Sequence, residues 1–145
     1  MQTAKTSKFT QIQTDRLAEA FPSVKPHFKP LGSRILVQLR SPKTKTKGGL
    51  ILVQDTIDTE RDNEQVALVV EVGPLAFRDP DSMKEWPEGA WVKPGDFIRV
   101  PKYNGDRWKQ TGPNDEEVIF ATFSHKDPLG LLREGCDPLE IKAFI

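Results

Sequence analysis

A chain of 145 residues is long enough for one domain with a modest hydrophobic core and too short for two full domains. Its 21 basic residues balance 21 acidic ones, and 12 prolines with 10 glycines favour a loop-rich, strand-rich domain over a helical bundle. The single cysteine excludes an intramolecular disulfide and a cysteine-rich zinc site, and no apolar run suits a membrane span or a signal peptide, which predicts a soluble intracellular protein.

The balanced total charge hides an uneven distribution along the chain. Residues 1–48 carry ten basic and two acidic residues, whereas residues 49–145 carry eleven basic and nineteen acidic ones. A basic arm can bind nucleic acid, but few aromatic residues lie among these lysines, which disfavours nucleic acid as a partner. We favour attraction between the basic half of one copy and the acidic half of a neighbouring copy.

The first part of the chain is predicted to form an arm, residues 1–28, ahead of a domain at residues 29–145. Two helical turns are expected before Pro22, which ends them. Pro22, Pro26 and Pro30 then recur every four residues. Because proline fixes its own φ and biases the preceding residue towards extended geometry, this part of the arm is expected to be a semi-stiff connector.

Alternating apolar and polar residues predict strands from residue 34 onward. Ile35, Val37 and Leu39 lie on one face of the first strand, with Leu36 as an exception on the other, which indicates a half-buried strand. Proline and glycine separate the similar runs that follow, so the pattern predicts an all-β fold, a small antiparallel barrel or sandwich. The predicted strands cover residues 34–40, 65–72, 97–100, 117–123 and 139–145.

Two connecting segments, 41–64 and 73–96, are too long for simple turns and are expected to be functional. In the first, two glycines follow a run of lysines and threonines and precede four aliphatic residues, Leu50 to Val53. This pattern is typical of an ordinary buried strand, but it also fits a flexible arm that presents an apolar plug to a groove on a partner. The residues concerned are Gly48, Gly49, Leu50, Ile51 and Leu52.

Five short segments together carry a resemblance to a known family. They run from Lys29 to Val37, from Lys45 to Leu52, from Val70 to Pro74, from Val92 to Ile98 and from Pro101 to Gly105. In this order they resemble the opening strand, the mobile loop, the strand leading to the roof hairpin and the stretch after the roof of the GroES-type co-chaperonins, the chaperonin-10 family. The long roof, with Trp86 and Trp91, looks most like phage-encoded members.

The resemblance implies a small irregular antiparallel β-barrel with a mobile loop at about 41–64 and a roof at about 73–96. Family members assemble as heptameric rings that cap a large GroEL-type chaperonin while a client protein folds. The chaperonin binds and hydrolyses ATP, so no cofactor is expected on this chain. The protein would then be a cytoplasmic homo-oligomer whose partners are the large chaperonin and its folding clients.

The resemblance also implies roles for particular residues. Gly48 and Gly49 would form the hinge of the chaperonin-binding loop, and Leu50, Ile51 and Leu52 its plug. The first strand would pair with the last strand of the next subunit. That subunit interface would comprise Leu31, Arg34, Ile35, Val37, Leu139, Ile141, Ala143 and Ile145.

Three departures from the family's pattern leave an alternative open. Ser33 stands where the family usually has Asp, residues 1–28 have no counterpart, and residues 124–137 resemble an insertion without regular structure. Arms that reach across neighbouring subunits are useful in shells. The alternative is therefore a virion head or decoration protein that reuses the barrel, with phage capsid proteins as partners.

No catalytic or metal site is predicted. His27, His125 and Cys136 lack the accompanying signatures of a nucleophilic enzyme, and no phosphate-binding glycine loop is present. The acidic run 115–117 is more typical of a solvated turn than of a cation site. The sequence thus predicts a binding protein rather than an enzyme.

Overall fold

The part of the chain that the structure describes forms one antiparallel sheet with almost no helix. The computed structural model describes residues 17–41, 64–102 and 104–141, of which residues 17–20 are helical. The prediction of an all-β fold is confirmed. The six strands among these described residues are β1 (Arg34–Leu39), β2 (Val66–Val72), β3 (Phe97–Arg99), β4 (Asp106–Thr111), β5 (Glu117–Ser124) and β6 (Gly130–Leu131).

The strands pair in the order β4-β5-β1-β2-β3-β6, and every neighbouring pair is antiparallel. Within the described residues the sheet is open, because no ladder joins the edge strands β4 and β6. The expected barrel is therefore not closed by strand pairing there.

Hydrogen bonds from the Arg107 guanidinium cross part of the opening of the sheet. Arg107 on β4 donates to the carbonyl of Glu64, just before β2, and to the carbonyl of Pro101, just after β3, both at 3.0 Å. Two strands separate β4 from β2 in the sheet, so the sheet must curl for these bonds to form. The same guanidinium lies 5.9 Å from the centre of the Phe123 ring.

The main core fills the concave side of the curled sheet. Alternate residues of β1, β2 and β5 point into it, together with side chains from β3 and from the long 73–96 segment. Its buried members are Ile35, Val37, Leu39, Ala67, Val69, Phe77, Val92, Ile98, Val100, Ile119, Ala121 and Phe123.

The first strand is buried on both faces, so the prediction of a half-buried strand is wrong. Leu36 and Gln38 point away from the main core, yet both are almost fully buried. Leu36 belongs to a second apolar cluster with Val24, Val118 and Phe120. This cluster exists because the chain before β1 covers the convex side of the sheet.

Residues 21–28, termed here the N-terminal strap, provide that cover. The Gln38 side-chain amide donates to the carbonyl of Pro22 at 2.8 Å. The Gln110 side chain on β4 bonds to the strap twice, accepting from His27 N–H at 3.1 Å and donating to the Lys25 carbonyl at 2.6 Å. The prediction of a separate arm is thus corrected for these residues, which pack on the domain; residues 1–16 lie outside the described part.

The sequence pattern missed two of the described strands, and it predicted a strand at residues 139–141, where the structure has none. β4 has no apolar alternation, and β6 lies in the 124–137 segment, which was expected to lack regular structure. The predicted last strand does not begin at residue 139. Instead Asp137 holds a turn, because its carboxylate accepts from Leu139 N–H at 2.9 Å and its carbonyl from Glu140 N–H at 3.1 Å. Residues 142–145 lie outside the described part.

The strap can be tested with a matched pair of substitutions. Val24→Asp places a carboxylate in the second cluster, where Val24 is 9% exposed, and should lower the free energy of unfolding by about 2–4 kcal/mol. Ser23→Asp, at the exposed neighbouring position, should change it by less than about 0.5 kcal/mol. Urea denaturation followed by circular dichroism measures both. Equal effects would mean that the strap does not pack on the sheet in solution.

Candidate functional site

The chaperonin-binding residues predicted from the sequence, Gly48–Leu52, lie outside the described part of the chain. Both ends of their segment are described and lie side by side. At the start of the segment, the Arg40 N–H donates to the Val66 carbonyl at 3.0 Å, and the Ser41 N–H donates to the Ala20 carbonyl at 2.9 Å. The 41–64 segment therefore leaves the sheet and returns to it at one place.

A largely buried ion pair joins the two ends. The Glu64 carboxylate receives Arg40 Nη2 at 3.1 Å and Nε at 3.3 Å, a side-on arrangement in which the side chains are 9% and 15% exposed. The same carboxylate accepts the N–H groups of Gln65 and Val66 at 3.2 and 3.0 Å. Its negative charge is thus neutralised and its oxygens are satisfied without water.

Arg40 also holds the C-terminal segment. Its Nη1 donates to the carbonyls of Pro138 and Ile141 at 2.8 and 2.6 Å. The predicted interface residues Leu139 and Ile141 are half-buried in this segment, and Ala143 and Ile145 lie outside the described residues. The Arg40 side chain therefore contacts both the base of the 41–64 segment and the C-terminal segment, residues 138–141.

The predicted interface on the first strand needs correction. Ile35 and Val37 are completely buried in the core of their own subunit. Both edges of β1 are already paired, with β2 on one side and β5 on the other, so no edge is free for a neighbour's strand. Leu31, which is 68% exposed, and the exposed Arg34 remain available.

The roof is anchored by a cluster of four rings. Trp86 lies 4.8 Å from Trp91, 5.6 Å from Phe77 and 4.5 Å from His125, measured between ring centres. The two tryptophans predicted for the roof are thus brought together, whereas Phe77 and His125 were not predicted to take part. Nothing local in the sequence marks them, since 48 residues separate them along the chain.

One hydrogen bond fixes the start of the roof. Phe77 is 3% exposed and has a φ of 60°, a backbone conformation that L residues rarely adopt. Its N–H donates to Nδ1 of His125 at 2.9 Å. Nδ1 must therefore be unprotonated, which leaves the imidazole neutral with its proton on Nε2. The bond helps to hold Phe77 in its strained geometry, from which the exposed hairpin around the Arg78–Glu85 bridge begins.

Burial lowers the pKa of His125, because the imidazolium is disfavoured away from water. The positive charge of Lys126 lowers that pKa further, whereas Asp127 opposes the shift. The direction agrees with the geometry, in which Nδ1 accepts a hydrogen bond. Protonation would remove that acceptor.

The residues that could suggest catalysis are not assembled into a site. His27 is an exposed strap residue, His125 is buried in the roof cluster, and Cys136 is exposed. Among residues 17–41, 64–102 and 104–141, no three histidine, cysteine or acidic side chains are grouped closely enough to hold a metal ion. In the same ranges no helix is both long and apolar enough to cross a membrane.

Comparison with known proteins gives consistent matches. The family model described as the chaperonin 10 Kd subunit matches residues 27–127. The co-chaperonin GroES of Caulobacter sp. (strain K31) is 39% identical over 105 residues, which is 72% of this chain and 96% of the relative. The co-chaperonin GroES of Caldicellulosiruptor saccharolyticus is 34% identical over 84 residues, 58% of this chain and 79% of the relative. The residues matched by the family model include the ion pair at the base of the 41–64 segment and the four rings of the roof.

The His125–Phe77 bond makes the stability depend on pH. The folded-state pKa of His125 lies below its unfolded value near 6.5, so the unfolded chain binds the proton more readily. This contribution to stability is present above the unfolded pKa and is lost as the pH falls through the folded pKa. The urea midpoint should therefore drop as the pH is lowered from about 7 to about 5, together with a change in tryptophan fluorescence.

His125→Gln keeps an acceptor for the Phe77 N–H but cannot titrate, so its urea midpoint should lose this component of the pH dependence. His27→Gln removes the other histidine, which is exposed, and should retain the unmodified profile. An unchanged pH profile in His125→Gln would contradict the assignment.

Proposed function

The chain belongs to the chaperonin 10 family, and we propose that it forms a heptameric ring that caps a large ATP-dependent chaperonin while a client protein folds. It is a co-chaperonin rather than an enzyme, as its relatives at 34–39% identity indicate. In this proposal the chaperonin binds the ATP and this chain needs no cofactor. We also propose a cytoplasmic location and, from the long roof with Trp86 and Trp91, a phage-encoded origin.

The proposed contact with the chaperonin is the aliphatic run Leu50–Leu52, with Gly48 and Gly49 as its hinge. Burying three aliphatic side chains would release roughly 5–8 kcal/mol, and ordering the segment would consume several kcal/mol of that. One such contact would bind weakly, but a ring presents several at once, which raises the avidity.

The observation that carries this proposal is the closed base of the 41–64 segment. Because Arg40 and Glu64 bind each other at 3.1 Å, every subunit presents this segment from one defined point on the sheet. In a ring, these points would form a circle that can match a circle of grooves on the partner. A segment anchored at one end only would not be presented with this regularity.

We propose that subunits contact each other through the exposed Leu31 and Arg34 on one side and the C-terminal segment with Leu139 and Ile141 on the other. The uneven charge supports this arrangement, since the first 48 residues are strongly basic and the remainder is acidic. Two different patches form a head-to-tail contact, which closes into a ring when the rotation between subunits allows it.

Substitution of Ile51 tests the docking contact. Ile51→Asp should leave the ring intact but weaken nucleotide-dependent capture of a GroEL-type chaperonin at least about 100-fold, because an unpaired carboxylate cannot enter an apolar groove at each of several sites. Native mass spectrometry measures the ring, and titration in the presence of ATP measures capture.

Ile57→Asp is the matched control, since it makes the same chemical change elsewhere in the 41–64 segment, and it should be captured nearly as well as the unmodified protein. Loss of the ring in Ile51→Asp would instead identify this run as a buried strand. An intact unmodified ring that captures no chaperonin would favour the alternative of a virion shell component.

A further inference from the structure

The Arg40 side chain connects two parts of the chain that are distant in sequence. Its Nε and Nη2 bind Glu64, which lies 24 residues further along. Its Nη1 binds the carbonyls of Pro138 and Ile141, which lie 98 and 101 residues further along. Its backbone N–H pairs with Val66 at the start of β2. The guanidinium therefore lies between the base of the 41–64 segment and the C-terminal segment 138–141.

Only a guanidinium can make these contacts together. Arginine has five N–H donors in a planar fork, and Arg40 makes four contacts with them, two to the Glu64 carboxylate and two to the carbonyls of Pro138 and Ile141. A lysine ammonium has three donors on one atom and cannot face both groups from the same position.

The charges make the two contacts depend on each other. Arg40 and Glu64 are largely shielded from water, so the carboxylate is the main neutralising partner of the guanidinium, and the carbonyls of Pro138 and Ile141 supply the remaining acceptors. Without the Glu64 charge the guanidinium has no counterion and turns towards water, which weakens its bonds to the carbonyls of Pro138 and Ile141. When those carbonyls move away, the guanidinium likewise turns towards water and its contact with Glu64 weakens. A change at the loop base should thus alter the C-terminal segment, and the reverse.

We propose that Arg40 is a positioning residue that couples the C-terminal segment 138–141 to the base of the 41–64 segment. The inference rests on the proposed function, in which one segment contacts the neighbouring subunit and the other docks on the chaperonin. Ring contacts that order residues 138–141 would hold Arg40 against Glu64 and so fix where the docking segment leaves the sheet. By linkage, docking would strengthen the subunit contact to the same extent.

Hydrogen exchange measured by mass spectrometry tests the coupling directly. Glu64→Gln removes the charge at the loop base, and the amides of Leu139 and Glu140 should then exchange about fivefold faster, although the substituted residue is in another part of the chain. Arg40→Lys keeps the positive charge but loses the fork, and it should give the same increase. The double variant should show no further increase, because both substitutions break one unit.

Glu117→Gln is the matched control. It also removes one carboxylate from an ion pair, that with Lys109 at 3.3 Å, but this pair is about half exposed and lies across β4 and β5. Exchange of the C-terminal segment should be unchanged, because exposed pairs contribute little to stability.

Chaperonin binding provides the functional readout. Arg40→Lys should weaken nucleotide-dependent capture roughly tenfold while the ring mass and the circular dichroism spectrum stay as in the unmodified protein. A residue that served only stability would shift the urea midpoint without separating capture from assembly.

The outcomes are distinguishable from failure of the proposed function. Unchanged exchange at Leu139 and Glu140 in both single variants would overturn the coupling, whatever the chaperonin does. Additive effects in the double variant, or loss of the folded state in both single variants, would also overturn it and leave Arg40 with a structural role only. If the unmodified ring captures no chaperonin, the proposed function fails, and the exchange experiment still decides whether the two segments are coupled.

Discussion

The structure depends on a central strand that must be covered on both faces. β1 pairs along both edges, with β2 and β5, and five of its six residues are buried. Its odd-numbered apolar residues require the main core on the concave side. Leu36 and Gln38 point to the convex side and need a second layer of residues over them. Without that layer Leu36 would be exposed to water and the Gln38 amide would lose its hydrogen bond to Pro22, and both changes are unfavourable. The N-terminal strap is that cover, so it is part of the folded domain.

Two arginines hydrogen-bond the irregular parts of the chain where these parts are not paired as strands. Carbonyl groups in loops and turns lack strand partners, and each still needs a hydrogen bond when it is removed from water. Arg107 supplies donors to Glu64 and Pro101 across the opening of the sheet. Arg40 supplies them to Pro138 and Ile141. One guanidinium can satisfy several such groups, which is why arginine rather than lysine suits both places.

The ion pair between Arg40 and Glu64 contributes more to the position of the two segment ends than to net stability. Burying two charges costs much of what their attraction returns, whereas removing one partner of such a pair costs about 3–5 kcal/mol. The net gain over an apolar pair is therefore small, but the penalty for misplacing either end is large. This asymmetry suits the base of the 41–64 segment, where Arg40 and Glu64 lie side by side and which is proposed to present the docking residues.

Local patterns predicted the parts of the fold that depend on local alternation. Ile35, Val37 and Leu39 identified β1 because they share one face, and the diglycine with its aliphatic run identified a candidate docking segment. The polar residues of β4 carry no such signal, since that strand is defined by pairing with β5. The strap resembles a linker in its prolines, and only the sheet beneath it makes Val24 a core residue.

The functional contacts that were missed all join residues distant in sequence. The 41–64 segment separates Arg40 from Glu64, and three of the six described strands separate Phe77 from His125, so neither pair leaves a local motif. The residues that these contacts join differ in whether the family model matches them. Arg40, Glu64, Phe77 and His125 all lie within the family match at residues 27–127, whereas the carbonyls of the C-terminal segment lie beyond it. The base of the 41–64 segment is therefore in contact both with family-matched residues and with a part of the chain outside that match.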